Sequence, residues 1–235
     1  MTIVRTVCMA GAVLSLALSA WGYETIEVKN GGAIKGTVKI AGTVPKDETI
    51  IVTKDKEHCG EKLPREKYLI SAAGGVRNAV VLIKYIAKGK PLSKDNVVID
   101  NKHCAFRPHV QTAAKGQTLV VKNNDPMLHN THLYLNKKTV YNFALPRTGM
   151  EVKKAINRAG LIEIECDAHD WMKGYLYVTE HPYAAVTDAN GSFSIRDIPP
   201  GDYEIEVWHE AFGMQEHKVT VVPGEVLDLN IEYKQ

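Results

Sequence analysis

Two short segments hold the residues best suited to chemistry. One is Cys166-Asp-Ala-His169-Asp-Trp-Met172, a C-x-x-H-x-x-M loop; the other is Asn123-Asn-Asp-Pro-Met-Leu-His129-Asn-Thr-His132. A tight loop between strands can bring a thiolate, an imidazole and a thioether around one point. An imidazole from an upstream strand, His129, completes four donors. Thiolate and thioether sulfur with imidazole nitrogen is the soft set that selects copper and serves both of its oxidation states. By itself the C-x-x-H-x-x-M pattern reads more readily as a buried cysteine with two surface residues. The upstream histidines and the flanking strands turn the balance toward a metal.

Those flanking strands belong to a chain that is β almost throughout. Leu161 to Glu165 alternates apolar and polar before the loop, and Gly174 to Thr179 follows it. Ala33 to Ile40, Thr49 to Thr53, Asn78 to Tyr85, Gln117 to Val121 and Thr131 to Leu135 continue the pattern. Glu151 to Arg158 is the one stretch that reads as a helical turn or two. In the tail, Asp188, Asn190 and Gly191 form one turn, Asp197 to Tyr203 a second and Pro223-Gly224 a third. Tyr203 to Val207, Val219 to Val222 and Val226 to Ile231 are strands between them. Many short strands with Gly, Pro and Asn punctuation give an all-β chain built of sandwiches or barrels.

The 29 basic and 27 acidic side chains nearly cancel and form no long block. That argues against nucleic acid as a partner, because phosphate binding needs a concentrated basic surface. Val7 to Ala20 is an apolar run behind Arg5, with Ala20-Trp21-Gly22 suiting a cleavage site. Residues 1–22 therefore read as a secretory signal peptide, and the run is shorter than the about 20 residues of a membrane span. The expected mature chain begins near Tyr23, lies in the periplasm or is otherwise exported, and has no membrane span. Removing Cys8 with the signal leaves Cys59, Cys104 and Cys166, an odd number in an oxidising compartment. Cys59 and Cys104 can pair as a disulfide, leaving Cys166 for a metal. Two free thiols, or a site with His58, His103 or His109, are the other readings.

The pattern P-x-x-H-N-x-H with C-x-x-H-x-x-M resembles the blue-copper cupredoxins, nearest to the amicyanin type. Phe106-Arg-Pro108 and Gly116 to Asn123 resemble the first strands of that fold. The resemblance implies a cupredoxin Greek-key β-sandwich over residues 101–181, holding one mononuclear type 1 copper. It makes His129, Cys166 and His169 the equatorial ligands and Met172 the weak axial one. Asn130 then hydrogen-bonds across to the segment around Asp167, and His169 is the partly exposed exit for the electron. Asp170 stands where the amicyanin-type loop has proline. Partners implied by the family are redox proteins such as a c-type cytochrome or a dehydrogenase. Thr187 to Phe193 (T-D-x-x-G-x-F) and Pro199 to Tyr203 (P-P-G-x-Y) resemble the carboxypeptidase-regulatory, transthyretin-like domain, a second Ig-like β-sandwich over residues 182–235. Gly32 to Val38 resembles its first strand, so the N-terminal β segment, residues 23–100, is a candidate to pair with it around the copper domain.

Other constellations are weaker. His132 lies three residues from His129, hence on the opposite face of a strand, and reads as a core or rim histidine, with membership of a second metal site as the alternative. His209, Met214 and His217 form a second soft set that reads as a turn with solvated histidines. Lys84, Lys88, Lys90 and Lys94 form a solvated edge that suits an acidic partner. No nucleophile elbow, phosphate loop or paired acid–base carboxylates appear. The His-x-His and His-Cys-His clusters of multicopper oxidases are absent too. With four protein ligands the copper is closed to substrate, so the expectation is an electron carrier and not an enzyme. A copper-delivery protein or an accessory module of a larger redox complex is the alternative.

Overall fold

The computed structural model describes residues 22–234. The signal peptide assigned to residues 1–22 lies outside them except for Gly22. Among the described residues no helix is long and apolar enough to cross a membrane. The chain is all-β and forms two sandwiches.

In the first sandwich one sheet runs in the order Met150–Ala155, Thr118–Asn123, Val97–Lys102, Ala105–Arg107. The other runs Lys138–Leu145, His129–Leu135, Gly160–Glu165, Lys173–Thr179, Val110–Ala114. Alternation places Ile99, Leu119, Val121, Leu133, Ile162, Ile164, Leu176 and Val178 between the sheets, with Phe106. The sandwich thus takes its first strand from Val97, ahead of residue 101. The helical turn expected at Glu151 to Arg158 is not formed. Met150–Ala155 is a strand, antiparallel to Thr118–Asn123 from Asn123↔Met150 to Thr118↔Ala155. Its Met150 and Val152 are half-buried beside exposed Glu151 and Lys153, a two-residue alternation that an open sheet edge captures over weak local helix propensity.

The second sandwich is built from both ends of the chain. Gly32–Ala41 pairs with Ser192–Ile198 on one side and, in parallel, with Val226–Asp228 and Ile231–Lys234 on the other. The facing sheet runs Ala184–Val186, Val80–Ile83, Gly201–His209, Gly213–Val221. Ile34, Val38, Val81, Ile83, Phe193, Ile195, Ile205, Val207 and Tyr233 fill its core. The tail motifs have local explanations. Asp188 Oδ1 accepts the amides of Asn190 and Ser192 at 2.8 and 2.9 Å, Gly191 takes φ +78°, and the Tyr203 hydroxyl donates to Pro199 O at 2.7 Å. At Gly36 a Cβ would stand 1.8 Å from Leu229 O, so only glycine lets the C-terminal segment pass there.

Val80–Ile83 is buried at every position because both its faces are used. Val81 and Ile83 enter the second core. Val80 and Leu82 join Val110 and Trp208, with Tyr175 and Tyr177, in a junction between the sandwiches. His109 pairs with Glu210, and the Tyr177 hydroxyl donates to Glu206, across the same seam. Between Gly32–Ala41 and Val80–Ile83 the chain leaves the second sandwich as a strap. It contains a short hairpin (Thr49–Ile51 with Lys62–Pro64), one helical turn (Lys56–Cys59) and a 3-10 turn (Glu66–Tyr68). Cys59 and Cys104 are bonded, S–S 1.97 Å, and tie the strap to the first sandwich.

Trp208 stands edge-on to Tyr175 in the junction, ring centroids 5.0 Å apart. Trp208→Ala is expected to cost about 3–5 kcal/mol in a urea unfolding titration; a loss below about 1 kcal/mol would show that the junction is not packed.

Candidate metal centre

Strand ends position the donors. His129 opens His129–Leu135, whose inward residues are His129, Thr131 and Leu133; Asn130 and His132 therefore face out. Cys166 follows the last residue of Gly160–Glu165, and the register His132↔Glu165 fixes that strand beside His129–Leu135. From Cys166 the loop turns back at once, with Met172 N–H donating to His169 O at 3.0 Å, and enters Lys173–Thr179. Cys166 Sγ then lies 4.0 Å from His129 Nδ1 and 3.7 Å from His169 Nδ1. The four residues are sealed from solvent: His129 0 %, Cys166 3 %, His169 1 % and Met172 1 % exposed.

The distal nitrogens explain why both Nδ1 atoms face inward. His129 Nε2 meets Asp125 Oδ2 at 2.9 Å, and His169 Nε2 meets Asp55 Oδ2 at 2.7 Å. With each Nε2 held by a carboxylate, the ring presents Nδ1 to the sulfur. Asp125 is itself anchored: it accepts the amides of His103 and Cys104, both at 2.8 Å, and contacts His58 Nε2 at 3.3 Å. Burial pushes the Asp125 carboxyl up, and those amides with the His129 and His58 rings more than offset it, so its pKa is lowered. His169 is shifted upward, first by its hydrogen bond to Cys166 and then, against desolvation, by Asp55.

His129, Cys166 and His169 form a group whose donor atoms could hold one metal ion. Donors about 4 Å apart leave room for a first-row ion at about 2.0–2.3 Å from each, so the donor set fits such an ion. A second group, His58, Cys104 and Asp125, also converges; its Cys104 sulfur is consumed by the bond to Cys59, so no thiolate is available there.

The remaining expectations divide. Asn130 N–H donates to Cys166 Sγ at 3.3 Å, and Asn130 Oδ1 accepts the Asp167 amide at 3.3 Å, linking the two donor segments. The Asp167 side chain points instead to His132, Nδ1 to Oδ1 at 2.9 Å. His132 also contacts Thr139 Oγ1 and stacks on Tyr134, outside the donor cluster. His209, Met214 and His217 do not gather. Met214 pairs with Trp208 and His217 with Ile205, three positions apart along one strand, about 10 Å. The expectation of a solvated His209 is corrected: it is buried against Phe212, accepts the Ala211 amide, and is driven by desolvation to a pKa of about 4. The expectation of a partly exposed His169 is corrected: the strap covers it. Asp55 takes its ring edge, Lys54 Nζ reaches Ala168 O at 3.4 Å, and Trp171 lies against the ring at 4.9 Å while donating to Cys104 O.

Sequence reasoning missed both carboxylates. Asp125 stands four residues before His129 in the segment singled out, so a local signal existed. Asp55 lies 114 residues from His169, and nothing local announces it.

Residues 176–234 match the family model of the carboxypeptidase regulatory-like domain. No curated protein matches the chain. Among solved structures, a Cu-containing nitrite reductase from Thermus scotoductus is similar at 20% identity and TM-score 0.33, covering 42% of this chain and 25% of that one. A reduced amicyanin variant is similar at 17% identity and TM-score 0.33, covering 42% of this chain and 98% of its own. A purple cupredoxin from Nitrosopumilus maritimus is similar at 22% identity and TM-score 0.30, covering 36% and 98%. The chain spans a quarter of the nitrite reductase.

Burial raises the Cys166 thiol, but hydrogen bonds with His129 and His169 and from the amides of Asn130 and Ala168 outweigh it and bring the pKa down to about 6 from 9.0. The native state therefore holds the thiolate where the unfolded chain holds the thiol. This contribution to stability is present above pH 9 and is lost as pH falls from about 9 to about 6. Metal-free protein is expected to gain ultraviolet thiolate absorbance with a midpoint near pH 6, and Cys166→Ser to abolish that step. A midpoint near 9 would show that the two imidazoles do not act on the sulfur.

Proposed function

We propose that this is an exported type 1 copper protein acting in periplasmic electron transfer. One copper would be held by His129 Nδ1, Cys166 Sγ, His169 Nδ1 and the Met172 thioether. The observation that carries the reading is the convergence of two imidazole nitrogens on one buried thiolate, at 3.7 and 4.0 Å, with both rings oriented from behind by carboxylates. Thiolate, imidazole and thioether donors suit cuprous and cupric ions alike, and copper held so supplies a one-electron couple. The chain's own contribution is to fix the donors. The two strands set the distance between His129 and Cys166, the turn after Cys166 returns His169 and Met172, and the strap excludes water. Little has to move when an electron arrives or leaves. A redox protein such as a c-type cytochrome or a dehydrogenase is the partner, and the buried donor set favours electron transfer over copper delivery, which needs ready release.

Copper titrated into the protein lacking residues 1–22 is expected to bind one equivalent and give an intense blue absorption that bleaches reversibly on reduction. Cys166→Ser should eliminate the band. A colourless, stoichiometric complex, or rapid loss of copper to a chelator, overturns the reading in favour of storage or delivery.

A further inference from the structure

Both histidines of the proposed copper site donate their distal N–H to a carboxylate, and one disulfide lies between the two supports. Asp55 belongs to the strap. It sits at the N-terminus of the turn Lys56–Cys59 with φ 51°, and its carbonyl accepts the Cys59 amide at 2.9 Å. Asp125 belongs to the first sandwich, and its Oδ2 accepts the Cys104 amide at 2.8 Å. Cys59 is bonded to Cys104. The bridge thus joins the backbone that presents Asp55 to the backbone that anchors Asp125.

From this arrangement, and resting on the copper reading above, we propose that Asp55 and Asp125 are positioning residues that tilt the copper couple toward the cupric state, and that the Cys59–Cys104 bridge keeps them in place. The physics has two parts. An imidazole whose N–H donates to a carboxylate is a more basic ligand at its other nitrogen, and basicity favours the more highly charged ion. Each carboxylate also sets a negative charge one ring away from the metal position, which stabilises the extra positive charge of the cupric form. Asp125 acts from a buried position, its side chain 2 % exposed, while Asp55 is 46 % exposed and screened accordingly. Asp55 serves the geometry at a distance of 2.7 Å only while the strap is held down. Reduction of the bridge by a dithiol, which forms two thiols and oxidises the dithiol to its own disulfide, frees the strap and loosens both caps together.

The test is the midpoint potential of the blue band in wild-type, Asp55→Asn, Asp125→Asn and Cys59→Ser/Cys104→Ser proteins, with far-ultraviolet circular dichroism as the control for folding. Asparagine keeps the size of the side chain and tolerates the left-handed backbone at residue 55. Removing a partner of a metal-bound histidine typically costs 10–100-fold in affinity. Asp125→Asn should therefore lower the cupric-over-cuprous affinity ratio about tenfold, which raises a one-electron potential by about 59 mV, and Asp55→Asn, from its screened position, should raise it by a smaller measurable amount. The double serine variant should shift the same way. If Asp125→Asn fails to fold, Asp55→Asn alone decides. A blue wild-type protein whose potential does not move in folded Asp55→Asn overturns this inference and leaves the copper reading intact. A wild-type protein with no blue band overturns both.

Discussion

The pairing of His129–Leu135 with Gly160–Glu165 is the constraint on which the site depends. Their ladder closes at His132↔Glu165, and just beyond it the two strands present His129 and Cys166 at the same end of one sheet. The Asn130 amide aimed at Cys166 Sγ continues the cross-strand contact past the ladder. Because side chains alternate, a slip of one residue would exchange the faces of His129 and His132. The alternation of buried Thr131 and Leu133 with outward Asn130 and His132 makes that slip costly, since it would carry Leu133 out of the core with His129. Hydrophobic packing in the first sandwich therefore specifies where an imidazole nitrogen stands relative to a sulfur.

A buried thiolate between two imidazoles is an expensive arrangement to leave open to water, and the strap closes it. Asp55 and Lys54 reach the loop from one side, and Trp171 covers His169 while bonding to Cys104 O. Val52, Leu63 and Met127 with the Cys59–Cys104 pair form the small apolar cluster beneath. Exclusion of water lowers the local dielectric, which strengthens the hydrogen bond of buried Asp125 to the His129 ring. It also means that a molecule approaching from solvent meets the strap or the edge of Trp171 before it meets a donor.

Much of this was legible in the residues. Spacing alone brought Cys166, His169 and Met172 into one loop, and strand periodicity separated His132 from His129 correctly. The turn chemistry of Asp188 to Gly191 and of Pro199 to Tyr203 was equally local. Illegible features share a cause. Asp55 acts on His169 through a contact between distant segments, so no period or motif encodes it, and the cover it provides falsified the expectation of an exposed His169. The segment after Met150 failed differently. Its half-buried alternation has meaning only beside Thr118–Asn123, and taken alone Glu151-Val-Lys-Lys-Ala155 is equally compatible with a helix.

The second sandwich bears on the site through the strap. The strap leaves from Gly32–Ala41 and returns to Val80–Ile83, and these two strands sit in the facing sheets of that sandwich. Both of its ends are thus clamped in a core, and its middle is clamped by the disulfide. A free loop of this length would pay the entropy of ordering at every encounter with the first sandwich. Held at three points, it has already lost that freedom in the folded chain. Val80–Ile83 completes the linkage, since one face packs into the second core and the other against Val110 and Trp208 at the junction. The same strand therefore fixes the second sandwich to the first and anchors the strap, so the position of Asp55 over His169 follows from packing in both sandwiches and not from the loop itself.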